Sequence, residues 1–403
     1  MVDRSTAPMF ALALFLNIGA LQAHAEKKYG PGVTDSEIRI GQTMPYSGPA
    51  SAASVLGKSE SAYFKMINER GGINGRRVTF ISLDDSYSPP KALEQTRRLV
   101  EQDNVLAIMG SFGTLTNAAI QKYLNLNHVP HLFIQASAMR WNDPGHFPWT
   151  MPFINLSRSE AMVYSRYIME VNPNARIAVL YQNDDFGRDY VAGLTEGLGR
   201  RHAGMIVATT TYEVSDPTVE SQIVSLKSSG ADVLLIAASQ KFAAQAIRKS
   251  FDIGWRPIRF VAQQSSSVAS VLASAGLDKS EGVMSVSPFK SVGDPQWAND
   301  PDYLAWLEFM RAYYPSGDIN NNFAFVGYSN AVLFAEVLRR CGDDLTRENL
   351  MEVATHLRDV RMPSLLPGIS ISTSPTDYDP MKEVRLMRFD GHRWVLLPYS
   401  VEK

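Results

Sequence analysis

The chain has 403 residues, 45% hydrophobic and 20% charged, with a formal net charge of −2. At ~150 residues per domain, this length predicts two or three domains, or two large ones. The average composition excludes long disorder, collagen and coiled coil, and the near-zero charge argues against nucleic acid as a partner, since phosphates need clustered Lys and Arg.

In chain order, Arg4 precedes an apolar run at residues 9–21, and Ala23-His24-Ala25 follows it. A charged start, a short apolar stretch and a small-residue site form an export signal, predicted over residues 1–25 with cleavage near Ala25. The run is too short to span a bilayer as a helix. No cysteine follows it, so no lipid anchor is expected. The mature chain is expected to be exported and soluble.

Units of apolar strand, polar loop and amphipathic helix come next. Residues 37–41 form a first strand. A helix over 59–70 places Ala62, Tyr63, Met66 and Ile67 on one face. Gly71-Gly72-Ile73-Asn74-Gly75 breaks it, and 77–84 returns as a strand. Pro89 and Pro90 suit the first turn of the next helix, which runs over 91–102. Strand 105–110, helix 116–126 and strand 131–135 follow. The pattern then restarts with strands at 176–181, 205–212, 232–237 and 259–262. Helices are predicted at 187–201, 219–229 and 241–253. Strict alternation of strand and helix implies parallel sheets covered on both faces. Two such runs imply two doubly wound domains, at most a distant duplication. Helices at 302–314, 330–340 and 346–356 come after them. The stretch 363–380 is a linker or crossover, and 383–397 is a hairpin turning at Asp390-Gly391. The one cysteine, Cys341, excludes an intrachain disulfide, thiolate zinc clusters and CxxC redox chemistry. Gly342 after it reads as a helix C-cap.

Doubly wound sheets bind ligands outside the carboxyl ends of their strands. No phosphate loop, dinucleotide fingerprint or G-x-S-x-G elbow occurs at those ends. His128 and His131 are three apart, but Pro130 removes the helix that would place both on one face. The pairs Asp84-Asp85 and Asp184-Asp185 end strands. They are candidates for cation binding or acid–base work, against the plainer roles of helix capping and loop hydrogen bonding. What recurs instead is small hydroxyls and amides: Ser111, Thr114 and Thr116; Gln135 and Ser137; Ser239 and Gln240; and residues 263–267. Such groups hydrogen bond at pH 7 without titrating, which suits recognition better than proton transfer. Loop hydroxyls ahead of a helix also bring free backbone N–H groups to an anion.

Several stretches resemble one family. Residues 38–48 (IRIGQTMPYSG) are followed by a helix over 61–68, the Gly71–Gly75 break, and Leu83-Asp84-Asp85 leading to Pro89. Residues 179–187 (VLYQNDDFG) and 232–248 (DVLLIAASQKFAAQAIR) continue the likeness. The whole resembles the leucine/isoleucine/valine-binding protein family, type I periplasmic binding proteins of branched-chain-amino-acid-type ABC transporters. The resemblance implies an α/β fold of two Rossmann-like doubly wound lobes joined by three crossover segments. Lobe one would be 36–151 plus 287–362, and lobe two 152–286 plus 363–403. It implies a monomer that encloses a small-molecule ligand between its lobes and delivers it to ABC permease subunits in the membrane. It implies no cofactor, no metal and no catalytic residue. A ligand-sensing module of the same fold is the alternative reading, and an exported enzyme using the paired aspartates a third.

The family's contacts fall on particular residues here. The serine that holds a ligand carboxylate falls at Thr114, in the loop with Ser111 and Phe112. The Pro-Ala-Ala-Thr segment falls at Ile134-Gln135-Ala136-Ser137. The aromatic of the second lobe falls at Phe186, and a second tyrosine near Ser239. The glutamate that pairs with an ammonium falls at Gln264 or its neighbour Gln263. Ala53 replaces a large aromatic and implies room for a bulkier ligand. Tyr46, Phe112, Trp141 and Phe186 are candidate aromatic walls. A glutamine in place of that glutamate suits a carboxylate or amide ligand, possibly aromatic, without an ammonium.

Overall fold

The structure, a computed structural model, describes Met1 and residues 27–402. Apart from Met1, the predicted export signal, with its cleavage near Ala25, lies outside the described residues. Among these residues, five parallel strands form a first sheet: β1 (Glu37–Met44), β2 (Arg77–Asp84), β3 (Ala107–Met109), β4 (His131–Ile134) and β5 (Thr150–Pro152). Their order is β2-β1-β3-β4-β5. The helices between them are α1 (Ser54–Glu69), α2 (Pro89–Arg97) and α3 (Thr114–Leu126). Prolines occupy the first turn of α2, where a missing N–H costs nothing.

The second lobe opens with α4 (Ser157–Val171) and alternates through β6 (Ile177–Gln182), α5 (Asp185–Leu198), β7 (Ile206–Tyr212) and α6 (Glu220–Ser228). It continues with β8 (Val233–Ala237), α7 (Gln240–Asp252), β9 (Ile258–Val261) and β10 (Met284–Ser287). The chain then returns as α8 (Pro301–Tyr313), α9 (Asn322–Cys341) and α10 (Arg347–Ala354), which pack in the first lobe's core. It finishes on the second sheet as the antiparallel pair β11 (Glu383–Phe389) and β12 (Trp394–Glu402). That sheet runs β12-β11-β10-β9-β8-β6-β7. Its parallel part repeats the strand order of the first sheet, so each lobe has a switch point beside its first strand. Every residue of β8 (VLLIA) is buried, as helix cover on both faces requires.

The differences from the sequence reading have physical causes. Helix α9 begins at Asn322, not 330, because Phe323 to Gly327 is buried on every side and shows no amphipathic period. Strands β5 and β10 are short, and β5 ends in a proline tolerated at a sheet edge. Helix α4 buries Ala161, Tyr164, Ser165 and Ile168, a 3.6-period stripe that a polar surround obscures. Leu365, Leu366, Ile369, Ile371, Tyr378 and Met381 pack in the first lobe's core, and the chain rejoins the second sheet at Glu383.

The chain crosses between lobes after β5, after β10 and before β11. The crossings brace one another. Phe153 stacks on Phe289 at 6.2 Å, and Leu366 N donates to Pro288 O at 2.8 Å. Ser137 Oγ lies 2.7 Å from Ser157 Oγ, and Asn142 Nδ2 donates to Asp377 Oδ1 at 3.0 Å. Among the described residues no helix is long and apolar enough to cross a membrane.

Candidate functional site

The carboxyl ends of both sheets face a gap between the lobes. Two narrow cavities occupy it, with about 20 Å³ and about 10 Å³ open to the centre of a water-sized sphere. Phe112 and Gln264 border both and form the neck between them. The larger has an apolar side of Leu56, Ile154, Phe289, Phe323 and Val326. Facing it are the amides of Gln135, Gln263, Gln264 and Asn322 and the hydroxyls of Ser266 and Ser267. The smaller lies among Tyr87, Thr114, Gln182, Phe186, Ser239 and Gln240. None of the residues lining either cavity is Asp, Glu, Lys, Arg or His.

Two helices begin at the smaller cavity, α3 after Gly113 and α7 after Ser239. No side chain caps either of them, so their first N–H groups lack an intrahelical partner. Those N–H groups and the helix dipoles favour a partial or full negative charge between them. Helix α5 also begins here, but the Asp184 carboxylate already caps it, accepting from Gly187 N at 3.1 Å. Burial pushes the Asp184 carboxyl up to about 6, against the pull of the Gly187 and Gln182 hydrogen bonds. In the larger cavity, Gln135 is buried and its Nε2 has no hydrogen-bond partner. An unpaired buried donor is costly, so a ligand acceptor there would gain from it.

Of the residues singled out from sequence, Phe112, Thr114, Gln135, Phe186, Ser239 and Gln264 meet at these cavities. Several others do not line them. Ser111 Oγ is turned inward, 3.4 Å from Thr43 N and Oγ1. Ala136 packs with Ile134, Ala138 and Trp141 in a small apolar cluster. Ser137 spends its hydroxyl on Ser157 across the crossing. Ala53 is fully buried in the first lobe's core, so its small size does not enlarge the cleft. Leu56, one turn along α1, is the wall instead. Two candidate aromatic walls also fall elsewhere. Trp141 belongs to the Ala136 cluster, and the Tyr46 hydroxyl lies 2.6 Å from Ser82 Oγ.

The residues missed cluster at elements whose ends the sequence misplaced. Ile154 and Phe289 follow β5 and β10, the two unpredicted strands. Asn322, Phe323 and Val326 open α9, ahead of the helix predicted over 330–340. Tyr87 follows the acidic pair Asp84-Asp85, whose charges are the stronger signal in sequence.

The motifs with catalytic or metal potential have structural partners. His131 is buried, its Nε2 2.9 Å from Asn117 Oδ1, and burial pushes its pKa down to about 3. His128 stacks on Trp149 at 5.1 Å. Asp185 pairs with Arg140 and Arg188, both at 2.8 Å. Among the described residues no three His, Cys, Asp or Glu side chains gather where they could hold a metal.

Two doubly wound lobes that enclose an uncharged, partly apolar cleft define a two-lobed binding protein. The comparisons agree. The chain matches the family described as periplasmic binding protein over residues 37–393. The Leu/Ile/Val-binding protein homolog 7 of Brucella abortus (strain 2308) is 24% identical over 262 residues, 61% of this chain and 62% of that relative. The chain thus spans less than two thirds of that relative's length in the match. A branched chain amino acid ABC transporter structure from Thermus thermophilus, with bound valine, superposes with a TM-score of 0.81 at 17% identity. It covers 92% of this chain and 98% of that one. A fatty acid ABC transporter substrate-binding protein from Thermomonospora curvata gives 0.75 at 18% identity, covering 94% and 95%. This chain belongs to the periplasmic binding proteins of the leucine/isoleucine/valine-binding type, a family of solute-binding proteins.

Proposed function

We propose that the protein is the extracytoplasmic solute-binding component of a branched-chain-amino-acid-type ABC importer. It captures a small carboxylate or amide solute between its lobes, closes on it by hinge motion, and presents it to permease subunits in the membrane. The solute carries no ammonium group, and the apolar side of the larger cavity suits an aromatic or other apolar body once the lobes part around it. One observation carries this reading: neither cavity presents a carboxylate, while two uncapped helix N-termini meet at the smaller one. An ammonium taken from water into such a site would meet no carboxylate on the cavity walls, and that desolvation is costly. A carboxylate or amide oxygen would instead accept from free N–H groups, the Thr114 hydroxyl and glutamine amides.

The test is a thermal-shift screen of the mature protein against branched-chain amino acids, aromatic carboxylates and small amides. A ligand of the folded state alone adds about 2.7 kcal/mol at 100 times its dissociation constant. Shifts with aromatic acids or amides alone support the reading. Shifts with leucine or valine alone overturn it. Each ligand is recovered afterwards, and chemical conversion of any of them would make the protein an enzyme instead.

A further inference from the structure

We infer that Tyr87 is a specificity-determining residue of the cleft, a first-lobe side chain held between the lobes so that it limits the size of the ligand's polar head. The inference rests on the cleft being the solute site, and it concerns a residue outside the sequence-based set.

Tyr87 is buried at the smaller cavity, with its ring 6.2 Å from that of Phe112. Across it stand Gln182, Phe186, Ser239 and Gln240, all from the second lobe. Its hydroxyl faces Gln182 and Asp184 of that lobe, and burial, with the Asp184 charge, raises its pKa above the tyrosine range. The ring therefore spans the closing surface and occupies room that a ligand head would otherwise use.

The backbone pays conformational strain to put it there. Ser86 and Tyr87 are consecutive non-glycine residues in the left-handed region, with φ of 53° and 57°. Such conformations persist only where the surroundings over-determine them, and they gather at functional sites. Here the surroundings are the paired aspartates. The Asp84 carboxylate accepts from Ser86 N at 3.0 Å, Ser47 N at 3.1 Å and Lys91 Nζ at 2.9 Å. Asp85 Oδ1 accepts from Tyr87 N at 2.8 Å. The acidic pair thus serves as the clamp of a strained turn. Two glycines make room for that turn. A Cβ on Gly48 would stand 2.3 Å from Ser86 O, and one on Gly113 would stand 2.2 Å from Tyr87 Cε2. Gly113 also begins α3, whose free N–H groups face the same cavity, so ring and anion-favouring helix end are built as one unit.

The experiment compares wild type, Tyr87→Phe and Tyr87→Ala, each shown folded by circular dichroism. Titration calorimetry uses benzoate, with a compact head, and hippurate, with a longer amide-carboxylate head. Small-angle scattering of the ligand-free proteins reads lobe closure without any ligand. Tyr87→Phe keeps the ring and loses the hydroxyl; it should weaken benzoate about fivefold, the worth of one neutral hydrogen bond, and enlarge the ligand-free radius of gyration. Tyr87→Ala should improve hippurate relative to benzoate by about tenfold, roughly the discrimination expected of a pocket's shape. An unchanged hippurate-to-benzoate ratio in Tyr87→Ala would overturn the specificity role. Should no probe bind wild type, the ligand class fails instead, and scattering decides for Tyr87: a radius unchanged in both variants overturns the inference.

Discussion

Replacing Glu60 by Gln should change how stability depends on pH. Glu60 lies on α1, wholly buried, where its carboxyl accepts from Gln42 Nε2 at 2.5 Å and Asn330 Nδ2 at 2.9 Å. Burial pushes its pKa from 4.5 up to about 8, and the two amide hydrogen bonds only partly oppose this. The sign follows from linkage. Below about pH 4.5 the group is protonated in both states and its contribution is complete. Between 4.5 and 8 the unfolded chain has released a proton that the folded chain keeps, so unfolding gains about tenfold per pH unit. Stability is lost as pH rises through that window and levels off above it. At pH 7.5 the accumulated loss from this one group is about 4 kcal/mol relative to pH 4. Glutamine has nearly the same shape, and an amide flip at Gln42 lets it keep a hydrogen bond on each side. Urea unfolding of wild type and Glu60→Gln at pH 5, 6.5 and 8 measures the difference. The variant should gain on wild type at each step toward pH 8. Parallel curves across the three values would refute the reasoning, because a residue ionised in both states cannot tilt them.

Gln264→Glu restores a carboxylate to the cleft and should tighten leucine by about ten- to hundredfold, the range of a charge-assisted hydrogen bond. Calorimetry checks it, and no gain in leucine affinity would mean that position 264 does not meet the ligand. Gly113→Ala drives a Cβ toward the Tyr87 ring at a backbone φ of 92°, and should cost about 2–3 kcal/mol in chemical denaturation. A cost near zero would show that the Tyr87 turn yields freely. His131 works opposite to Glu60. Burial depresses its folded pKa from 6.5 to about 3, so its contribution is complete above pH 6.5 and lost as pH falls toward 3. His131→Gln should therefore flatten the acid side of the stability profile, and an unaltered acid limb would count against a neutral buried imidazole.

Much of this protein was legible in local sequence because its strands and helices alternate strictly. Each helix needs one apolar stripe, and each buried parallel strand reads as a short apolar run such as VLLIA at Val233–Ala237. Those signals depend on neighbours within a few residues, so they survive in one dimension. They brought Thr114, Gln135, Ser239 and Gln264 forward, since strand ends and helix starts can be counted along the chain, and the family resemblance added Phe112 and Phe186. Tertiary structure decided the rest. Ser111 and Ser137 look like Thr114 in sequence, yet their hydroxyls turn inward to Thr43 and Ser157, partners distant in the chain. Leu56, Ile154, Phe289 and Phe323 are unremarkable apolar residues until both lobes and the crossings bring them to one wall. Asp84-Asp85 reads as chemistry in sequence and holds a strained turn in the fold. A side chain's type sets what it can bond, but only its surroundings decide whether that capacity is spent inside the protein or left for a ligand.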